Sequence, residues 1–153
     1  MREKISADLN AAMKAGDKQR TATLRLVMAA IKDRDIDARG AGREEVSEQD
    51  VLALLQKMVK QREESAAIYD EAGRDELATQ EREEIAIIKD YLPQSMGEDE
   101  VATAIDEAIA ATGAAGLRDM GKVVAALKEK YPGRIDFGQA SKVVKEKLSG
   151  RGG

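Results

Sequence analysis

Cysteine, histidine and tryptophan are all absent from the 153 residues of this chain, and only two prolines occur. Without cysteine, the chain can form neither a disulfide nor a thiolate zinc site. Without histidine, it lacks the commonest metal ligand and the commonest general base near neutral pH. We therefore expect a protein that acts by binding, with no catalytic residue, no metal and no cofactor.

The phosphate-binding loops of nucleotide enzymes are also missing. Gly113-Ala114-Ala115-Gly116 precedes a helical pattern, but it lacks the Lys-Ser/Thr pair of such a loop and the strand before it. We interpret this segment as a turn.

Aromatic residues make up only 3% of the chain, so its core must consist of aliphatic side chains and methionine. Such residues, together with abundant Ala, Glu, Lys and Arg, favour helices over sheets. The longest unbroken apolar run, Leu26 to Ile31, is far too short to span a membrane. The N-terminus begins an amphipathic stretch rather than a signal core. These features predict an all-α, cytoplasmic protein without a membrane partner.

Apolar residues recur at helical spacing along the chain, and glycine or proline interrupts them. The interruptions predict that a first helix ends at Gly16, that 39–42 is a flexible loop, that Gly73 ends a third helix and that Pro93 ends a fourth. Asp17, Ser47 and Asp136 stand where N-caps are expected. The predicted buried face of the fourth helix includes Leu77.

The segment from Pro93 to Gly97 is the predicted domain boundary, because the helical patterns beyond it are shorter. We predict an N-terminal four-helix bundle-like domain over residues 1–93 and a small three-helix domain over residues 97–149. Residues 151–153 are expected to form a frayed end.

The charge is unevenly distributed. Residues 98–116 carry five acidic residues and no basic one, whereas residues 117–153 carry nine basic and four acidic residues, a net charge of +5. Such a basic segment on an acidic chain is typical of a phosphate-binding surface. The candidate contacts are Arg118, Lys122, Lys128, Lys130, Arg134, Lys142 and Lys145. Taken alone, the same residues fit the solvated faces of two short helices better.

The scarcity of aromatic residues and the connection around Pro132 indicate which class of nucleic acid these cations would bind. With few aromatic residues, the chain is poorly suited to stacking unpaired bases, so a folded RNA recognised by its shape is favoured. DNA is not expected, because the connection around Pro132 is longer than a recognition turn.

A second group of charged residues lies in the middle of the chain. We expect Arg62 to pair with Glu84 or Glu81 across an antiparallel helical hairpin, with Arg74-Asp75 fixing its turn. We interpret this group as a salt-bridge network that holds the hairpin and needs no ligand.

Several short segments carry a family resemblance. No single segment is specific, but their order and spacing together are. The segments are Asp17-Lys18-Gln19-Arg20, Leu24-Arg25-Leu26, Gln61-Arg62-Glu63-Glu64-Ser65, Tyr69, Gly73-Arg74-Asp75-Glu76-Leu77, Glu81, Glu84-Ile85, Tyr91-Leu92-Pro93 and Asp119-Met120-Gly121-Lys122. In these segments the chain resembles the GatB/YqeY family over nearly its whole length. The resemblance implies a helical bundle followed by a three-helix domain. It also implies kinship with the tail of the B subunit of the glutamine-dependent tRNA amidotransferase. In that enzyme the tail contacts tRNA, and a similar module aids tRNA binding in some glutaminyl-tRNA synthetases.

Three hypotheses follow. The first is a tRNA-binding accessory module. The second is a protein-interaction module that docks on an aminoacyl-tRNA synthetase or an amidotransferase subunit, which an exposed apolar patch including Leu54 and Ile68 would favour. The third is a component of glutamine-dependent carbon–nitrogen ligase activity, a label that the resemblance carries although the amidase signature and the activating domain are missing.

Overall fold

Every regular element in the computed structural model, which describes residues 1–42 and 46–151, is a helix. The all-α fold class predicted from the sequence is confirmed. The elements of this described part are α1 (Arg2–Ala15), α2 (Lys18–Gly40), α3 (Glu48–Glu71), α4 (Asp75–Lys89), α5 (Glu98–Thr112), a short 3-10 helix (Leu117–Asp119), α6 (Met120–Lys130) and α7 (Phe137–Arg151).

The three predicted N-caps are confirmed. The carboxylate of Asp17 accepts a hydrogen bond from the Arg20 amide at 3.1 Å, and Ser47 Oγ accepts one from the Asp50 amide at 3.1 Å. Asp136 Oδ1 accepts from the amide two residues further on at 3.0 Å. Each cap satisfies a donor that the first helical turn leaves unpaired, which stabilises a helix by about 1 kcal/mol.

Glycine ends the two helices where the sequence predicts it. Gly16 follows α1 with φ 72°, and Gly73 follows α3 with φ 70°. In this left-handed region a side chain would be strained, so both helices stop there. The predicted frayed end concerns residues 152 and 153, which lie outside the described part of the chain, whereas Arg151 belongs to α7.

Two predicted boundaries are wrong. Helix α2 continues through Gly40, so only Ala41 and Gly42 of the expected loop form a turn. Helix α4 ends at Lys89 rather than at Pro93. Proline disfavours helical geometry in the residue before it, here Leu92, so the helix cannot continue as far as the ring.

The chain divides into two compact units, Met1–Pro93 (unit 1) and Gln94–Gly153 (unit 2). That the predicted segments 1–93 and 97–149 are independently folding domains stays a prediction.

Unit 1 packs the α1–α2 hairpin and the α3–α4 hairpin around an aliphatic core. Its most completely buried large side chains are Ile5, Leu24, Ile31, Leu55 and Ile88. Leu54 also belongs to this core and is only 8% exposed, so it does not form the expected exposed patch. Leu77 was predicted to be buried and is 38% exposed.

Unit 2 packs α5, α6 and α7 around a second, smaller core. Ile105, Val123, Val144 and Leu148 are completely buried in it, and Leu127 is 1% exposed. The core therefore draws on all three helices, as the helical spacing of these residues predicts.

The turn after α4 is fixed to α1 by a buried tyrosine. Tyr91 is 7% exposed, its hydroxyl donates a hydrogen bond to the Asp8 carboxylate, and the Lys4 ammonium lies 5.6 Å from its ring centroid. Burial, followed by the hydrogen bond to Asp8, raises the pKa of Tyr91 to about 12 from an ordinary value of 10.0.

We expect this tyrosine to give unit 1 a stability that is sensitive to alkali. Because the pKa is raised on folding, the stabilisation is complete below pH 10.0 and is lost as the pH rises towards about 12. Phenolate absorbance at 295 nm should therefore include a transition near pH 12 that Tyr91→Phe removes. A spectrum unchanged by Tyr91→Phe in that range would contradict the assignment.

Candidate nucleic-acid interface

The seven cations predicted to contact RNA all lie in unit 2, on or next to α6 and α7. Six are exposed and Arg134 is half-buried. We call this set the basic surface: Arg118, Lys122, Lys128, Lys130, Arg134, Lys142 and Lys145.

The outer face of α7 is set by its buried face. Ala140, Val144 and Leu148 follow one another at a spacing of four and are at most 1% exposed. Residues two and five positions after Ala140 then fall outside this buried stripe. Lys142 and Lys145 occupy those positions, and in the described part of the chain neither ammonium has an ion-pair partner.

The connection from α6 to α7 adds two lysines held over aromatic rings. Lys128 Nζ lies 5.9 Å from the ring centroid of Phe137, and Lys130 Nζ lies 5.5 Å from that of Tyr131. Both rings are half-buried. A cation over a ring face is attracted by its quadrupole, which restrains these flexible side chains. Sequence reasoning missed the role of the rings, although their places beside the α6–α7 connection were a usable signal.

Two members of the basic surface also serve the fold. Arg134 Nε donates a hydrogen bond to the Gln94 carbonyl at 3.0 Å, and the Arg134 carbonyl accepts one from the Met96 amide at 3.0 Å. Lys122 Nζ lies 3.8 Å from the Asp119 carboxylate. Their positive charge is therefore less available to a ligand than that of Lys142.

The carboxylate beside Lys122 has a structural role of its own. Asp119 accepts a hydrogen bond from the Ala115 amide at 3.0 Å, which, more than the charge of Lys122, holds its pKa below the ordinary value. Asp119 thus closes the turn between α5 and α6.

The acidic residues of unit 2 are concentrated on a different helix. Helix α5 carries all five carboxylates of residues 98–116 and packs against both α6 and α7. One of them, Asp106, accepts a 2.7 Å hydrogen bond from Lys147 Nζ at the α5–α7 contact. Unit 2 therefore has an acidic helix and a pair of basic helices, which separates the two signs of charge.

The predicted ion pair across the hairpin of unit 1 is confirmed, whereas a role of Arg74-Asp75 in fixing the turn stays a prediction. Arg62 Nε lies 3.3 Å from Glu84 Oε2, and both side chains are 15% exposed. Arg62 also donates to the Met58 carbonyl at 3.2 Å. Of the two predicted partners, Glu84 forms the ion pair. Glu81 remains nearby, and burial, reinforced by the charge of Glu84, raises its pKa.

Other kinds of site find no support among the described residues. In residues 1–42 and 46–151 no group of three or more acidic side chains is placed to hold a metal ion. None of the helices in this part of the chain is both long and apolar enough to cross a membrane.

Comparison with protein-family models assigns residues 2–148 to the Yqey-like proteins. The chain therefore belongs to this family. Among curated proteins it is similar to Altered inheritance of mitochondria protein 41, mitochondrial, in several yeasts. The protein of Lachancea thermotolerans is 37% identical over 90 residues, which are 59% of this chain and 46% of the relative. That of Clavispora lusitaniae is 36% identical over 88 residues, 58% of this chain and 49% of the relative.

The matched region spans about half the length of these relatives. Their names state a mitochondrial protein, which contradicts the plain cytoplasmic location expected from the sequence. That expectation was wrong because it rested only on missing features, the lack of a signal core and of an apolar span. Neither absence distinguishes the cytoplasm from other aqueous compartments.

Proposed function

We propose that this protein is a tRNA-binding accessory module, and that the basic surface of unit 2 contacts the phosphate backbone. The observation that carries the proposal is the pair Lys142 and Lys145, which α7 holds side by side, exposed and without ion-pair partners in the described residues. Lys128 and Lys130 extend the same charge to the α6–α7 connection. A ligand with regularly spaced negative charges matches such a surface.

The separation of charge within unit 2 supports a defined binding orientation. Phosphates are attracted to α6 and α7 and repelled by the carboxylates of α5. Because the two sets lie on different helices, the unit's field would turn the basic side towards the RNA before contact is made.

Folded RNA suits this surface better than a single strand. The two aromatic rings near the basic surface, Tyr131 and Phe137, are half-buried and have lysine ammonium groups over them. They are therefore poor platforms for stacking unpaired bases. Without base stacking, the surface would recognise the backbone phosphates and the shape of a double-helical arm of the RNA. The kinship with the tail of the amidotransferase B subunit that the sequence motifs imply favours tRNA among folded RNAs.

The proposal assigns binding, rather than catalysis, to this chain. As an accessory it would present tRNA to an amidotransferase or a synthetase, whose own residues perform the chemistry.

Charge reversal on α7 tests the proposal. The double variant Lys142→Glu/Lys145→Glu should bind tRNA at least about tenfold more weakly at low salt, because two phosphate contacts become repulsive. Neutral Lys142→Gln/Lys145→Gln should reduce the slope of log Kd against log salt by about 2, or about 1 for each lost contact. Fluorescence anisotropy with labelled bulk tRNA measures both quantities.

Lys32→Glu is a control for one charge reversal outside unit 2, since Lys32 is an exposed lysine in the middle of α2 with no ion pair in the described residues. It makes a single charge reversal in unit 1 and should leave the affinity within about twofold. Absence of binding at low salt, or an equal loss in Lys32→Glu, would refute a phosphate contact by α7.

A further inference from the structure

The end of the α3–α4 hairpin exposes apolar side chains that the proposed RNA surface does not use. Ile68 is 64% exposed and Leu77 is 38% exposed, on either side of the turn at Gly73. We call residues 64–80 the hairpin tip. Its packing relies on small residues, since Ala66 is 3% exposed and Ala78 is completely buried. The larger apolar side chains are left at the surface.

The register of the hairpin places these side chains on one flank. The ion pair between Arg62 and Glu84 sets the two helices level at that point. Tyr69 lies seven residues, or about two helical turns, after Arg62 on α3, and Leu77 lies seven residues before Glu84 on α4. Both are therefore about two turns closer to the tip than the ion pair. Ile68 adjoins Tyr69, which is half-buried. An exposed aliphatic strip therefore borders the ion pair on the side of the turn.

This strip lies beyond the cover provided by α2. Gln19, in the first turn of α2, hydrogen-bonds to Glu83 on α4. The start of α2 is thus level with Glu83, and Leu77 lies more than one helical turn closer to the tip. The tip consequently projects past the bundle, which explains its exposure.

The charge around the strip is acidic. Glu64, Glu71, Asp75 and Glu76 are exposed and form no ion pair in the described residues, against one exposed guanidinium, that of Arg74. The remaining acidic residue of the tip, Asp70, is already neutralised by Arg82, which lies two residues beyond the tip. A groove of about 610 Å³ between α2 and α4 adjoins the tip, and four carboxylates and one ammonium group line it: Asp75, Glu76, Glu83, Glu84 and Lys18. This surface repels phosphate, so it is not an extension of the RNA site.

We propose that the hairpin tip docks a basic, amphipathic helical segment of a protein partner. Ile68 and Leu77 would cover the partner's apolar stripe, while the surrounding carboxylates face its Lys and Arg side chains. Apolar anchors within a complementary charged rim are the usual way that a helix is recognised on a surface. Complementary charge also excludes acidic partners and nucleic acid.

The test uses the full chain, with its isoleucine and leucine methyl groups labelled for NMR, and an 18-residue Leu/Lys amphipathic peptide. Addition of the peptide should shift the methyl signals of Ile68 and Leu77. The variant Ile68→Lys/Leu77→Lys should weaken peptide binding at least about tenfold, because it removes the apolar anchors and adds repulsion. Both substitutions are on exposed positions, and circular dichroism checks that the helices persist.

Matched controls come from other exposed apolar residues of unit 1. Met13 is 48% exposed and Leu26 is 50% exposed, so Met13→Lys/Leu26→Lys makes the same change elsewhere. It should leave peptide affinity within about twofold. A Leu/Glu peptide of equal length should not bind the unmodified chain. The tRNA affinity of Ile68→Lys/Leu77→Lys should not fall, so this proposal and that of RNA binding can fail separately.

Several results would overturn the proposal. Equal binding of the Leu/Glu peptide would show adhesion to any apolar surface, and an equal loss in Met13→Lys/Leu26→Lys would show that the site is elsewhere. Shifts at Ile68 that depend on protein concentration alone, with dimers in sedimentation, would assign the surface to a second copy of this chain.

Discussion

Ile105→Ala is expected to unfold unit 2 and to abolish tRNA binding while unit 1 remains folded. Ile105 is completely buried, and truncation of such a side chain costs about 2 to 5 kcal/mol. A single core in a unit of fewer than about 70 to 80 residues rarely supplies more than about 3 to 5 kcal/mol. The substitution thus removes most of the stability that α5, α6 and α7 gain by packing. Amide hydrogen exchange, resolved by residue, measures the loss.

Ile88→Ala is the reciprocal variant, because Ile88 is equally buried in the core of unit 1. It should accelerate exchange in α1 to α4 and leave unit 2 and its tRNA affinity intact. If either substitution accelerates exchange in both units equally, the chain folds as one cooperative body. The prediction of two domains, over 1–93 and 97–149, would then be wrong.

Arg62→Met is expected to destabilise unit 1 by about 3 kcal/mol, since it leaves the carboxylate of Glu84 without its partner. The two side chains are 15% exposed, so water replaces the lost interaction only in part. Arg62 also supplies a hydrogen bond to the Met58 carbonyl, which the variant loses. Urea unfolding, followed by circular dichroism, gives the change in free energy.

Arg82→Met is the matched control on the same hairpin. Its ion pair with Asp70 is 55% and 44% exposed, so this loss should cost at most about 1 kcal/mol. The double variant Arg62→Met/Glu84→Leu should recover much of the stability lost in Arg62→Met, because neither charge of the inner pair is then left without its partner. Equal costs for Arg62→Met and Arg82→Met would show that burial does not strengthen the inner pair.

The features that the sequence predicted correctly are mostly local. An N-cap such as Ser47 needs only its own side chain and an amide three residues on, and a helix stop such as Gly73 needs only one backbone conformation. The pair of Arg62 with Glu84 is less local, but a short turn between two helices leaves few possible registers.

In the candidate site, the sequence could not predict which cations are available to a ligand. Sequence charge indicated the basic segment 117–153, but it could not distinguish Lys142, which has no ion-pair partner in the described residues, from Lys122, which lies beside Asp119. It also could not place the ammonium of Lys128 over Phe137. The surroundings of each lysine depend on distances between side chains of different helices and turns, which the sequence does not specify.

By itself, the sequence determined the helical class, the caps and the segregation of charge, because these depend on neighbours along the chain. Only the tertiary structure decided which apolar residues are covered. Leu54 and Ile68 stand on nearly the same face of α3, within about 40° on a helix of 3.6 residues per turn. Leu54 belongs to the core and lines the same cavity as Ala38 of α2, whereas Ile68 lies past the start of α2 and is 64% exposed. Burial depends on where the other helices begin and end, which periodicity within one helix does not specify.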